Sequence, residues 1–481
     1  MAGFHIEHFG CRAARADGEA IGDRLRHVGM QEHDPRNADV VVVNTCSVTA
    51  EADRAARAFI RKAHRDNPSA QIVVTGCYAQ RAPEELARIG GVAAVVGNSH
   101  KALAPEIILG LTRGKGAAEV SPSVVPVSAL LGTGTAAVWA DDRFAHSFLE
   151  EAQLVPGEQT RPNLKIQEGC GNRCTFCVIP QTRGASRSLG REAILRQVDG
   201  FVAAGGNELV LSGINLGRWG FDLAASRNPT LAAAQRTHGA EGGASASSLN
   251  FAGLVREIVE QTKLPRLRLS SIEPMDWNEA LIGLMREFGG TRIARHAHLP
   301  LQSGSDAVLR RMHRRYRPWH YVEKVEKLVR AAGPELTLGA DVMVGFPGET
   351  DAEFEETVAI IRELPFGYLH LFPFSPRPGT TGWTLHAERP VAVRVVEERM
   401  VALRTVAAEK MREHRARLIG CELEAITLHT PKAVAELGRT SALTENFVPV
   451  ELEGSFSANR LVRVHVAAVN PDGELAGAAA A

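Results

Sequence analysis

Residues 167–180 read QEGCGNRCTFCVIP and place Cys170, Cys174 and Cys177 in the spacing C-x3-C-x2-C. Thiols clustered this closely are metal ligands by type. A closed tetrahedral zinc site takes four ligands, and so does the usual thiolate cage of an iron–sulfur cluster. Either a fourth ligand comes from elsewhere or one coordination position is left open. Zinc finds little support, because no second C-x2-C lies nearby and Cys421 belongs to another part of the chain. Three thiolates at this spacing can hold three irons of a four-iron cluster and leave the fourth for a small chelating molecule. Reduced structural thiols are the remaining alternative.

Three further cysteines share one position in a repeating pattern. FHIEHFGC, ADVVVVNTC and AQIVVTGC are apolar strand runs that stop at Cys11, Cys46 and Cys77. Helical stretches separate them, and VAAVVGN follows as a fourth strand. Alternating strand and helix signals predict a doubly wound parallel sheet, which binds ligands at the carboxyl ends of its strands. The fold should therefore gather the three cysteines, although three buried, inert thiols would fit the same pattern.

The elements that must position these groups fall into blocks. The α/β pattern fills 1–112. Residues 113–155 are rich in small residues and Pro and are expected to be a linker. From 156 to 395 about six further β-α units suggest a partial (β/α)6 barrel, whose chemistry sits at the strands' carboxyl ends. Within it, 222–250 is Ala/Ser/Gly-rich and reads as a flexible insertion. A charged helix and short β runs over 396–475 predict a small all-β barrel. Lys+Arg and Asp+Glu both number 55, so no global basic charge marks a nucleic-acid binder and any such site must be local. No signal peptide is legible and no apolar run reaches the ~20 residues of a membrane span, so a cytoplasmic, non-membrane chain is expected.

C-x3-C-x2-C after the first strand of a partial barrel resembles the radical S-adenosylmethionine enzymes. With the strand-end trio before it and the β-barrel after it, the chain resembles the MiaB-like methylthiotransferases. The run NTCSVTAEADRAAR and the tight RGASRS after the cysteine loop are similar to the MtaB type, which acts on threonylcarbamoyladenosine in tRNA. The resemblance implies two [4Fe-4S] clusters, one on Cys170, Cys174 and Cys177 and one on Cys11, Cys46 and Cys77. It implies S-adenosylmethionine as methyl donor and radical source. The implied reaction converts C–H to C–S–CH3 on tRNA position 37. The implied electron donor is flavodoxin- or ferredoxin-like, and the sulfur source is unspecified.

GGNE (Gly205, Gly206, Asn207, Glu208) looks like the family's glycine-rich cofactor motif. Ser212, Asn215, Ser271, Glu273, Gln302, Ser303 and Asp341 are expected at strand ends, where the cofactor is read. Two positions depart from the family's pattern: Ala14 stands where Asn is usual and Gln181 where an aromatic is common. Other branches, acting on isopentenyladenosine or a ribosomal-protein aspartate, remain open. So does an RNA-binding protein with one structural cluster.

Arginines and aromatics interleave over 309–330. Arg314, Arg315 and Tyr316 are candidate RNA contacts, because guanidinium groups grip phosphate and rings stack on bases. Arg439, in a stretch that resembles a TRAM domain, is another. Arg183 and Arg187, near the cysteine loop, are expected to meet substrate or cofactor anions.

Overall fold

The computed structural model describes residues 2–112, 136–144, 149, 154, 160–223, 250–471 and 473–479. Most of the expected linker and of the 222–250 insertion lies outside the described residues. The chain divides into two compact units. One comprises Met1–Gln153, Gln167–Asn172 and Cys177–Leu189, and the other comprises Leu154–Ile166, Arg173–Phe176 and Gly190–Ala481.

The first unit is built on six strands: β1 (Gly3–His8), β2 (Gln31–Glu32), β3 (Val40–Thr45), β4 (Gln71–Gly76), β5 (Val92–Gly97) and β6 (Ala137–Trp139), in the order β2-β1-β3-β4-β5-β6. Every pairing is parallel. VVVVNT of β3 is buried throughout, as expected for a central parallel strand covered on both faces. One face packs Val41, Val43, Ile60 and Tyr78, and the other Phe4, Val40, Val42 and Ile107. Ala137–Trp139, inside the stretch expected to be a linker, supplies the outermost strand. The strand order reverses between β1 and β3, and that switch point is where a doubly wound sheet opens a crevice at its carboxyl edge.

In the second unit β7 (Asn163–Glu168), β9 (Glu208–Gly213), β10 (Arg266–Leu269), β11 (His296–His298), β12 (Thr337–Val344) and β13 (Phe366–Pro373) alternate with helices and form the partial barrel. The last two residues of β7 pair with β8 (Arg187–Ser188) in the first unit. β10-β9-β7 and β11-β12-β13 form two sheets, and the parallel bridge Leu267–Ile293 links β10 to the segment before β11. The helices start on capping side chains: Asn250, Asn278 and Thr350 each accept a backbone N–H of the first turn.

A closed five-stranded barrel follows, β14 (Glu422–Thr427), β15 (Arg439–Thr444), β16 (Pro449–Glu453), β17 (Leu461–Val469) and β18 (Leu475–Ala479). It meets the amino ends of the partial barrel's strands. Asn459 is bonded with Gly205 and Asn207 just before β9. Arg266, which opens β10, reaches Glu424 at 2.5 Å. Arg295, before β11, reaches Glu445 at 2.6 Å. Asn446 donates to the Glu335 carbonyl, before β12. Between these anchors Phe447, held at φ 70°, lies 4.5 Å from the His296 ring and 5.7 Å from that of Tyr368. The Arg268 guanidinium covers it at 5.3 Å.

Candidate active site

In the first unit, Cys11 caps the helix after β1, Cys46 follows β3 and Cys77 follows β4. Cys11 and Cys46 thus flank the switch point. Gly76, at φ 97°, makes the turn into Cys77, where a Cβ would collide with the Thr45 carbonyl. Cys11 is exposed, whereas Cys46 and Cys77 are buried. Burial, and then the charge of Cys77 and Cys11, push the Cys46 thiol up to about 12. Three thiolates cannot coexist here without positive charge among them. The Asn98 amide donates to Cys77 Sγ at 3.5 Å, and the Asn44 amide donates to the carbonyl of Ala14.

One such cation, Arg183, belongs to a buried ionic network that the sequence did not disclose and that carries no net formal charge. Arg183 is fully buried and donates to Asp17 at 2.9 Å and Glu168 at 2.6 Å, and Lys101 bridges the same two carboxylates. Burial alone would favour loss of the Arg183 proton, but Cys77, Asp17, Glu168 and Cys11 hold its pKa well above the usual value. Its Nε and Nη2 lie buried without a hydrogen-bond partner. This corrects the expectation that Arg183 meets RNA or substrate: a guanidinium with no exposed surface, paired to two carboxylates, serves the cysteine trio's surroundings. Arg187 is half-buried, donates to the Arg183 carbonyl and lies 5.9 Å from the Phe144 ring.

The loop after β7 carries the other triplet, each thiol half-exposed. Cys170 N–H donates to the Gly184 carbonyl at 3.1 Å. In the second unit, Thr175 N–H bonds the Met312 carbonyl, and the buried Arg314 donates to Cys174 Sγ at 3.4 Å while pairing with Glu273 at 2.5 Å. Burial would lower the Arg314 pKa, but Tyr316, Glu273 and Cys174 raise it well above the usual value. A fixed cation on the thiol is what a thiolate ligand needs. Arg314 and Tyr316 are therefore corrected from RNA contacts to interior residues. The Tyr316 hydroxyl donates to the carbonyls of Pro300 and Leu301. Along 313–316 the chain alternates exposed and buried residues, so only Arg315 of that expected trio faces solvent. Arg439 is exposed and pairs with Glu451 at 2.8 Å.

The expected cofactor residues divide between two edges of the partial barrel. Gly205, Gly206, Asn207 and Glu208 stand at the amino end of β9, where they meet the C-terminal barrel. A βα sheet binds ligands at the opposite edge, so their assignment to the cofactor is corrected. Burial would raise the Glu208 pKa, but Arg268 at 2.7 Å and Arg266 at 3.1 Å hold it low. Ser212 and Asn215 lie at the carboxyl end of β9, and each keeps a buried side-chain oxygen without a partner. Gln302, at φ 60°, does the same with Oε1. Ser303 is spent on packing: its hydroxyl lies 3.2 Å from that of Thr357 and accepts from Ser305 N–H. Ser271 bonds His298 Nδ1 at 2.9 Å.

Asp341 sits between His298, at 3.3 Å, and His370, at 3.2 Å. Burial opposes the charge of Asp341, yet the two imidazoles hold its carboxyl well below the usual range. Neither histidine was singled out from sequence. The signal was present in HAH and YLH, whose period of two puts His296 with His298, and Tyr368 with His370, on one side of their strands.

Each group of cysteines has a buried guanidinium in its surroundings, Arg183 for Cys77 and Cys11 and Arg314 for Cys174. Residues 3–97 match the uncharacterized protein family UPF0004, and residues 164–361 match the radical SAM superfamily. The latter match makes the chain an iron–sulfur enzyme that binds S-adenosylmethionine. A cobalamin- and [4Fe-4S]-bound radical S-adenosylmethionine methyltransferase, TsrM from Kitasatospora setae, superposes with a TM-score of 0.55 over 81% of this chain and 78% of that one; at 14% identity the likeness is one of fold. The threonylcarbamoyladenosine tRNA methylthiotransferase MtaB of Bacillus subtilis is 34% identical, over 95% of this chain and 91% of that protein. Its namesake from Aquifex aeolicus is 32% identical, over 95% and 98%. The tRNA-2-methylthio-N(6)-dimethylallyladenosine synthase of Erythrobacter litoralis is 31% identical, over 98% and 96%. Similarity running end to end through both cysteine blocks places the chain in the family of radical S-adenosylmethionine tRNA methylthiotransferases.

Proposed function

We propose that this enzyme converts N6-threonylcarbamoyladenosine at tRNA position 37 to its 2-methylthio derivative. The observation that carries this reading is the pair of cysteine triplets, each beside a buried guanidinium, in a chain whose similarity to MtaB proteins covers almost its whole length. Cys170, Cys174 and Cys177 would hold one [4Fe-4S] cluster and S-adenosylmethionine, and Cys11, Cys46 and Cys77 a second cluster. When bound, these groups supply the electron that cleaves the cofactor's S–C bond and the iron that carries the inserted sulfur.

The chain's own residues do the rest. Arg314 fixes Cys174 and Glu273 in one arrangement. Ser212, Asn215 and Gln302 offer unsatisfied polar oxygens at the barrel's active edge. Arg183 sets one cation in the surroundings of the N-terminal trio. Arg315 and Arg439 remain exposed for RNA phosphates, with Trp319 as an exposed ring near the former.

In this reading residues 1–112 are the methylthiotransferase domain, 113–155 a linker, 156–395 the radical core and 396–475 the connecting helix and TRAM-like barrel. The electron donor is a flavodoxin- or ferredoxin-like protein, and the enzyme works in the cytoplasm. No helix among the described residues is long and apolar enough to cross a membrane.

The test is mass spectrometry of tRNA nucleosides from cells with and without the gene. Loss of the methylthio group from the threonylcarbamoyl derivative is expected. Loss from an isopentenyl derivative alone would move the enzyme to the branch of the Erythrobacter relative. Absence of 5′-deoxyadenosine from the reduced, reconstituted protein given S-adenosylmethionine would leave an RNA-binding protein with a structural cluster.

A further inference from the structure

We propose that His298, Asp341 and His370 form a binding site for one divalent transition-metal cation, separate from both cysteine triplets. The three offer one ligand atom each, and these atoms all lie within 4.8 Å of one another. His298 Nε2 and His370 Nδ1 converge on the same oxygen, Asp341 Oδ1, at 3.3 and 3.2 Å. Two ligands about 2.0–2.2 Å from a tetrahedral metal stand roughly 3.4 Å apart. The spacing is therefore that of a coordination edge.

The supporting structure is that of a ligand set. His298 is buried, and its Nδ1 is tied to Ser271 Oγ at 2.9 Å. That bond fixes the ring and leaves Nε2 to face the site, as the second partner of a metal-bound histidine does. His298 Nε2 is nevertheless buried without a hydrogen-bond partner, its approach to Asp341 lacking hydrogen-bond geometry. Its contact with Asp341 is an ion pair at 3.3 Å, which a bound cation would replace. Tyr368 lies against both rings, at 6.0 Å from His298 and 5.1 Å from His370, with its hydroxyl turned to His296. The His370 side chain is 62% exposed, which leaves an entry path and open positions on that side. Two imidazoles favour Zn2+ or Fe2+ over Mg2+ or Ca2+, and the carboxylate also admits Mn2+, the weakest binder of the divalent transition series. The carboxylate balances part of the ion's charge, and the open positions would take an anionic oxygen. The inference does not depend on which tRNA base is modified.

The test uses Mn2+, which avoids thiolates. Anaerobically reconstituted full-length protein, its clusters in the oxidised diamagnetic state, is titrated with Mn2+ while the signal of the free ion is followed by electron paramagnetic resonance. One site per chain, displaced by Zn2+, is expected. His370→Ala and His298→Ala should each weaken it by at least about tenfold, the lower end of what loss of even an outer partner costs. Should the buried His298 variant lose its iron and misfold, the exposed His370→Ala variant decides the matter, with its iron content as the check on folding. No bound Mn2+ in the wild type, or equal binding in His370→Ala, overturns the proposal and leaves Asp341 simply paired with two protonated imidazoles.

Discussion

The two cysteine triplets reach similar ends by opposite routes. Cys170, Cys174 and Cys177 lie on one short stretch of chain after β7, so the sequence alone keeps them close. Cys11, Cys46 and Cys77 share one sheet edge only because β1, β3 and β4 are parallel neighbours and each strand stops at or near its cysteine. Their surroundings differ too. The loop thiols are half-exposed, and Cys174 has one guanidinium against its sulfur. The scattered trio includes two buried thiols beside a four-group ionic network. A loop site is local and tolerates change around it, whereas a sheet-edge site is a property of the whole domain.

The largest effect separates the triplets by chemistry. Cys174→Ala should reduce 5′-deoxyadenosine formation to background, whereas Cys77→Ala should keep it and lose only the methylthio product. Liquid chromatography of both products reads the difference, and loss of deoxyadenosine in both variants would break the comparison. Next in size is the cost of removing each arginine. Arg183→Gln leaves Asp17 and Glu168 sharing Lys101 alone, with one buried negative charge uncompensated, and should destabilise the chain by about 3–5 kcal/mol, as other broken buried pairs do. Thermal unfolding measures that loss, and the iron content should fall with it. Arg314→Gln removes one donor from Cys174 and leaves Glu273 partly solvated, so about 1–3 kcal/mol is expected. Its sharper mark is a more negative cluster midpoint, because hydrogen bonds to ligand sulfur favour the reduced form. An unchanged potential would mean that Arg314 only packs.

The smallest effect is on reactivity of the metal-free chain. A thiol pushed up to about 12 stays protonated through neutral and mildly alkaline pH, so Cys46 should resist alkylation there while exposed Cys11 reacts. Peptide mapping across pH 7–9 checks this, and equal labelling of the two would place Cys46 in a different environment.

The same contrast explains what could be read from sequence. VVVVNTC announces a buried strand and its end, and three such runs imply one sheet edge. The Cys170–Cys177 spacing needs no fold at all. GGNE misled because a glycine-rich tetrapeptide beside a strand does not say which end of the strand will face ligand. Arg314 and Tyr316 misled because charge and aromaticity suggest surface, while the turn and bend over 313–316 put alternate residues inward. The Arg183 network was invisible: Asp17, Lys101, Glu168 and Arg183 lie on four separate segments, and only packing pairs them. β6 was hidden because three residues between small-residue runs carry too little periodicity to register.

Phe447 and its neighbours give the C-terminal barrel a mechanical part. Its loop enters the amino end of the partial barrel and is pinned there by Arg268, Arg295 and Asn446. A pull on this domain would be borne by the strand bases that lead to His298 and Asp341. Cutting the chain before β14 would strip Arg266 of Glu424, Arg268 of Phe447 and Arg295 of Glu445. The C-terminal barrel and the strands that carry His298 and Asp341 therefore share one frame, and neither can be trimmed to simplify the other.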